Sequence, residues 1–223
     1  MELTQEEQAV LEGSGLFQGI SREKLFSMLS CLQAFRREFA AGELVLREGE
    51  LAENVGLVLS GHAASLKLGR HGEELILTLL EQGSFLGVLV AASREKKSPV
   101  FVRAETPLSV IFFPARQLSS PCESACPEHT QLTRNFLAAV AEKSLTLNDR
   151  IDCLVRRGVR EKVQVYLLHM AKERGSPEFT IPLDREAMAG YLNVDRAALS
   201  RELSRMKAEG LIEYRKSFFR LLH

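Results

Sequence analysis

The 223-residue chain has no long apolar run: nowhere do about 18 hydrophobic residues follow one another, the minimum for a membrane-spanning helix. Its first residues, MELTQEEQAVLEGSG, lack the cationic start and apolar core of a secretion signal, so a cytoplasmic protein is expected. Cysteine is sparse. Cys31, Cys122, Cys126 and Cys153 are scattered and no C-x-x-C occurs, so a disulfide framework is not expected in a chain this large. No nucleophile–base–acid set and no phosphate-cradling loop stands out, which leaves an enzyme without support. Net charge is missing too, because 29 Lys+Arg balance 29 Asp+Glu.

That neutrality hides an asymmetry. From Arg156 onward there are 14 Lys/Arg against 9 Asp/Glu, so the C-terminal part is near +5 and residues 1–155 are near −5. A basic region attracts phosphate, and the imbalance points weakly toward nucleic acid.

Apolar spacing over residues 4–32 suits helices, with Ser21 placed to cap the second. From Phe35 the period changes. Short apolar runs follow, punctuated by glycine at 42, 49, 61, 72, 83 and 87, and then VFVRAET and LSVIFFP. Turn signals roughly every ten residues are the signature of an all-β sandwich or barrel. After the loop SSPCESACPEH a long helix is expected from about Glu128. Along it Leu137, Val140, Ser144, Leu147, Ile151 and Leu154 step by 3, 4, 3, 4, 3, a heptad seam with one polar position. One amphipathic helix packed on its own barrel would also place apolar residues so. The strict 3.5 spacing is narrower than a globular stripe and favours self-association.

Gly158 follows Arg156-Arg157 as a cap or hinge, and VREKVQVYLLHMAKERG reads as a new helix ending at Gly175. SPEFTIPL is extended. Asp184 caps REAMAGYL, Asn193 suits a turn at positive φ, Asp195 caps a helix from Arg196 to about Glu209, and Gly210 ends it. LIEYR and FFRLL form two short strands around a tight turn. Two helices joined by a three-residue turn and followed by a hairpin make a winged helix-turn-helix. Met188, Leu192, Leu199, Leu203 and Met206 supply its inner face, with the small Ala189 where the helices cross. Arg196, Ala197, Ser200, Arg201 and Ser204 are left on the outer face, and Arg205 completes the set of candidate DNA contacts. A helix entering the major groove reads bases near its N-terminus, so the slim Ala197 permits close approach and Arg201 can fork onto guanine O6/N7.

GELVLREGELAENVGLVLSGHAASL, GSFLG, VRAET and LDREAMAGYLNVDRAALSRELSRMKAEGLIEY together resemble the CRP/FNR family of bacterial transcription regulators over nearly the whole chain. The resemblance implies an α+β chain: a double-stranded β-helix (jelly-roll) sensor domain over 1–127, a dimerisation helix over 128–157 and a winged helix-turn-helix over 158–223. It implies that Arg201 reads a guanine in each half-site, that Ser200 is the serine of the FNR branch, and that Arg196 touches bases or phosphate. The family's cytosine-reading glutamate falls on Ala197, which can touch only a thymine methyl, so the palindromic site should keep the guanine and otherwise depart from the usual half-site.

The effector motif departs further. Cyclic-nucleotide binders of the family carry Gly-Glu-Leu where this chain has Gly87-Val88-Leu89, and a phosphate-pairing arginine where it has Ser98-Pro99. A buried phosphate without its arginine would be an uncompensated charge. Cyclic AMP is therefore not expected. A pocket built from Phe85, Gly87, Val88, Leu89 and Ser98, between GSFLGVLVAAS and the long helix, should be apolar and suit a hydrophobic effector or haem, or serve no ligand. The iron–sulfur arrangement of the FNR branch is absent, because no cysteine precedes Cys31. Cys122, Cys126 and His129 form a metal or redox trio whose spacing matches no zinc class, and two incidental loop thiols are the plainer reading. Cys31 and Cys153 read as apolar filler. His62, His71 and His169 read as surface or packing residues, and REKK (94–97) as a solvated loop.

The expected partners are a palindromic duplex operator, a second copy of the chain and RNA polymerase. The competing class is a ligand-binding module that acts through protein contacts alone and lacks salt-dependent DNA affinity.

Overall fold

The computed structural model describes residues 3–69, 74–120 and 126–222. They form two units: residues 1–67 with 78–145, and residues 68–77 with 146–223. His71 and Cys122 lie outside the described residues.

Thr4 starts the first unit with a capping box. Its hydroxyl accepts from the Glu7 amide at 3.2 Å while the Glu7 carboxylate accepts from the Thr4 amide at 3.0 Å, which opens α1 (Gln5–Gly13). Glu7 is buried, and its other oxygen accepts from Arg36 at 2.9 Å and from the Ser109 hydroxyl at 3.1 Å. A 3₁₀ turn at Gly15–Phe17 leads to α2 (Arg22–Cys31). Ser21 holds the N-cap position there, but its side chain makes no cap hydrogen bond.

The strands follow as β1 (Phe35–Phe39), β2 (Leu44–Leu46), β3 (Asn54–Ser60), β4 (Ala63–Leu68), β5 (Glu74–Leu80) and β6 (Phe85–Leu86). After the short α3 (Val88–Ala91) come β7 (Phe101–Ala104) and β8 (Leu108–Pro114). They make two four-stranded sheets, ordered β1-β8-β3-β6 and β2-β7-β4-β5, with antiparallel pairing as expected of the jelly-roll. Both β3 and β8 are apolar along their length because both of their faces are covered. Alternate residues point opposite ways, so Leu57, Ile111 and Phe113 pack under the helices while Val58, Val110 and Phe112 fill the space between sheets. Gly61 turns β3 into β4 at φ +83°, and a Cβ there would stand 2.1 Å from the Pro107 carbonyl oxygen.

α4 (Ala115–Ser119) precedes the long α5 (Pro127–Val155), whose Leu132 and Phe136 join the same apolar cluster. The second unit continues through α6 (Val159–Arg174), β9 (Glu178–Thr180), α7 (Arg185–Leu192), α8 (Arg196–Ala208), β10 (Ile212–Arg215) and β11 (Phe218–Leu221). Gly158 is the N-cap of α6 and Gly175, at φ +62°, its C-cap. The expected hairpin gains a third strand: β9 pairs with β11, so the sheet runs β10-β11-β9.

Candidate nucleic-acid interface

The turn between α7 and α8 is set by two side chains and one backbone state. Asn193 caps α7 at φ 49°, ψ 59°, a left-handed conformation that asparagine tolerates. The Val194 amide then donates back to Ala189 O at 3.0 Å. Asp195 has an extended backbone and accepts from the Ala198 amide at 2.8 Å, which starts α8. Asp184 caps α7 in the same way, through the Ala187 amide at 2.8 Å.

Leu199, Leu203 and Met206 are buried on one side of α8 against Met188, Ala189 and Leu192. All six candidate contacts, Arg196, Ala197, Ser200, Arg201, Ser204 and Arg205, are exposed on the other. Their present engagements differ. Arg196 pairs with Glu186 at 3.2 Å and Arg205 with Glu202 at 3.5 Å, both across exposed surface. Ser204 donates to Ser200 O at 3.0 Å and lies 3.4 Å from the Tyr214 hydroxyl. Arg201 has no ion pair and no side-chain hydrogen bond among the described residues, so its planar fork of donors is uncommitted.

Arg160 of α6 seats α8 from behind. It donates to Glu202 at 2.6 Å and to both oxygens of Glu209 at 2.7 and 2.8 Å. Those hydrogen bonds, Glu209 first, hold the Arg160 charge above its ordinary range, and the Glu209 carboxyl is pulled down by the same contact. The wing expected from the sequence adds two cations that were not among the candidate contacts. Arg215 and Lys216 are exposed at the β10–β11 turn, where Lys216 takes φ 54°, and Arg185 ties that turn to α7 by donating to Lys216 O at 3.3 Å. The signal was RKS between two apolar runs.

Among the described residues, those expected to line an effector pocket are engaged in other ways. Val88 is buried in the apolar cluster that also contains Phe136, with Phe85 and Val140 packed against it, so side chains fill the space where a cavity was expected. The Ser98 hydroxyl is spent locally, donating to Val100 O at 2.8 Å and accepting from the Val100 amide at 3.3 Å. Leu89 is half-buried. Gly87, at φ +72°, lines a cavity of about 90 Å³ with Phe35, Arg37, Glu50, Leu86 and Phe112. Drug-sized ligands occupy about 300–1,000 Å³.

His129 is 2% exposed; its Nε2 donates to Gln117 O at 3.2 Å and its Nδ1 faces the Cys126 thiol at 3.6 Å. Both ring nitrogens are engaged, which leaves neither for a haem iron. No group of three or more His, Cys, Asp or Glu able to hold a metal occurs among the described residues. Cys153 is buried as expected, but Cys31 is exposed: it ends α2 on the side away from Leu25, Met28 and Leu29.

Residues 36–124 match the cyclic nucleotide-binding domain family, and residues 161–223 match the Crp-like helix-turn-helix domain family. The chain belongs to the CRP/FNR family. It is 26% identical to the cyclic AMP receptor protein of Thermus thermophilus over 91% of this chain and 89% of the relative. It is 25% identical to the global nitrogen regulator of a Synechocystis strain over 80% of each. The structure of FixK2 from Bradyrhizobium japonicum superimposes with a TM-score of 0.66 at 22% identity, covering 85% of this chain and 93% of that one. As a CRP/FNR-type protein the chain is a DNA-binding transcription regulator, and the family's members are regulators rather than enzymes. Among the described residues no helix is long and apolar enough to cross a membrane.

Proposed function

We propose that this regulator acts in the cytoplasm as a homodimer that reads a palindromic operator and answers to a signal other than cyclic AMP. One observation carries the DNA-reading assignment: α8 buries its apolar face and presents the uncommitted Arg201 beside the slim Ala197 on the other. Arg201 would fork onto guanine, Ala197 would lie against a thymine methyl, Ser200 would bond a base edge or phosphate, and Arg196, Ser204 and Arg205 would hold the backbone. Residues 128–157 would form the dimer helix and place two copies of α8 about 34 Å apart, one helical turn. The exposure of Leu137 and Ile151, at 69% and 55%, favours a second copy on that seam. The relative from Thermus thermophilus is named for cyclic AMP. Val88 and Ser98 argue against that ligand here, because one offers no acceptor to a ribose hydroxyl and the other no charge to a phosphate. A signal in the sensor domain would act through the segment at Gly158, and RNA polymerase would be the partner on promoter DNA.

Selection from random duplexes followed by binding across a salt series tests this. A palindrome with one conserved guanine per half-site is expected, with affinity falling about 10³–10⁵-fold between 50 and 200 mM salt for six to ten phosphate contacts. Arg201→Ala should lose about 1–3 kcal/mol per half-site and the guanine preference while leaving the oligomeric state unchanged. Operator binding that survives this change would remove α8 from the role, and indifference to duplex DNA at every salt concentration would favour a module acting through protein contacts.

A further inference from the structure

Inside the second unit one cation is almost wholly enclosed, with no counter-charge among the described residues. Arg150 of α5 is 2% exposed. Its guanidinium carbon stands 3.9 Å over the Tyr191 ring and its Nη2 donates to Ile76 O at 2.8 Å. Its Nε and Nη1 are buried and meet no acceptor among the described residues. A second buried cation, Lys162 of α6, donates to Leu192 O at 3.0 Å and Asn193 O at 3.1 Å, the carbonyls that end α7. The two cations repel, and Arg150 adds to the burial that pulls Lys162 below its ordinary value.

Among the described residues no carboxylate is paired with either cation. Burial pushes the Arg150 charge down from its usual value, and the groups opposing that are Tyr191, Cys153 and Tyr166. Asp149 and Asp152 act on the Cys153 thiol, and neither is ion-paired with Arg150. Burial raises that thiol, so Cys153 is a neutral neighbour rather than a thiolate. One ring face and one carbonyl do not repay the desolvation of a guanidinium, and buried polar groups in folded proteins find partners.

We propose that this cluster is an anion site in which a small inorganic anion of chloride size accepts from Arg150 Nε and Nη1 beside Lys162. The anion is small because the donors are sealed from solvent and walled by the Tyr191 ring, which leaves no entry for a metabolite. It is charged because water would satisfy the N–H groups but leave two like charges enclosed together. It would fasten α5 and α6 to the end of α7 from which the three-residue turn enters α8.

The test is the thermal midpoint of the full-length chain without DNA, as potassium chloride replaces potassium gluconate at fixed ionic strength. It reads independently of operator binding. A saturable rise of several degrees is expected, reproduced by bromide, reduced in Lys162→Gln and lost in Arg150→Met, which keeps volume and removes the donors. A midpoint that does not distinguish chloride from gluconate overturns the proposal, as does an unchanged chloride response in Arg150→Met. Should Arg150→Met fail to fold, chloride NMR line broadening by the wild-type chain takes its place: saturable broadening displaced by bromide and weakened in Lys162→Gln supports the site, and its absence overturns it.

Discussion

Two arginines on α8's two sides have opposite fates, and neighbouring carboxylates decide which. Arg160 meets Glu202 and Glu209 and becomes part of the scaffold, whereas Arg201 meets none and is left for a partner. A third cation shows what burial does without pairing. Lys143 of α5 is pulled down to about 8 from its ordinary 10.5, because burial disfavours the ammonium. A base with a lowered folded pKa binds fewer protons folded than unfolded between those values, so stability should rise with pH from about 8 to 10.5 and be lost as pH falls through about 8. Lys143→Met should therefore raise the unfolding midpoint at pH 7 and flatten that rise. Thermal melts at pH 7, 8, 9 and 10 check both effects, and an unchanged pH profile would show that Lys143 reaches water.

Helix α5 illustrates the element scale. Its heptad positions divide: Leu137, Ser144 and Ile151 are exposed, while Val140, Leu147 and Leu154 are half-buried. The polar position is locally satisfied, since Ser144 donates to Val140 O at 2.9 Å. The inward stripe is a different one, with Leu132, Phe136 and Ala139 buried in the first unit. One helix thus carries a core stripe and, rotated from it, the apolar seam assigned to a second copy. Ile151→Asp should convert dimer to monomer at micromolar concentration by light scattering, without changing helical content. Operator affinity should fall at least about 100-fold, because two linked half-site contacts become one. A dimer that persists through this change would place the interface elsewhere.

Across the whole molecule the charge asymmetry and the effector motif bear on what the protein answers to. The basic C-terminal part holds the candidate DNA contacts, whereas Val88 and Ser98 stand where the family resemblance would place a carboxylate and an arginine for a cyclic nucleotide. A ligand that binds only the folded state raises the unfolding midpoint in proportion to ln(1 + [L]/Kd). Cyclic AMP at millimolar concentration should leave both the midpoint and the operator affinity unmoved, and calorimetry should detect no binding heat. A shift of several degrees would return the nucleotide to this site by a route other than Val88 and Ser98.

The amino-acid order alone determined what depends on neighbours a few residues away. Asp184, Asn193 and Asp195 specify the helix–turn–helix through contacts three or four positions long, and the near-continuous apolar runs of β3 and β8 specify two covered faces. The outward side of α8 was readable for the same reason, since helical periodicity is local. What crosses the chain was decided only by tertiary structure. Cys31 was expected inside and lies outside, because which side of α2 is covered depends on strands and helices far along the chain. Val88 and Ser98 sit in a motif that reads as a pocket, yet packing fills one and a turn consumes the other. Arg150 looks like an ordinary polar residue in a long helix. Only the fold brings it to Ile76, 74 positions away, and closes it from water. Burial and counter-charge belong to the assembled whole, and no local pattern encodes them.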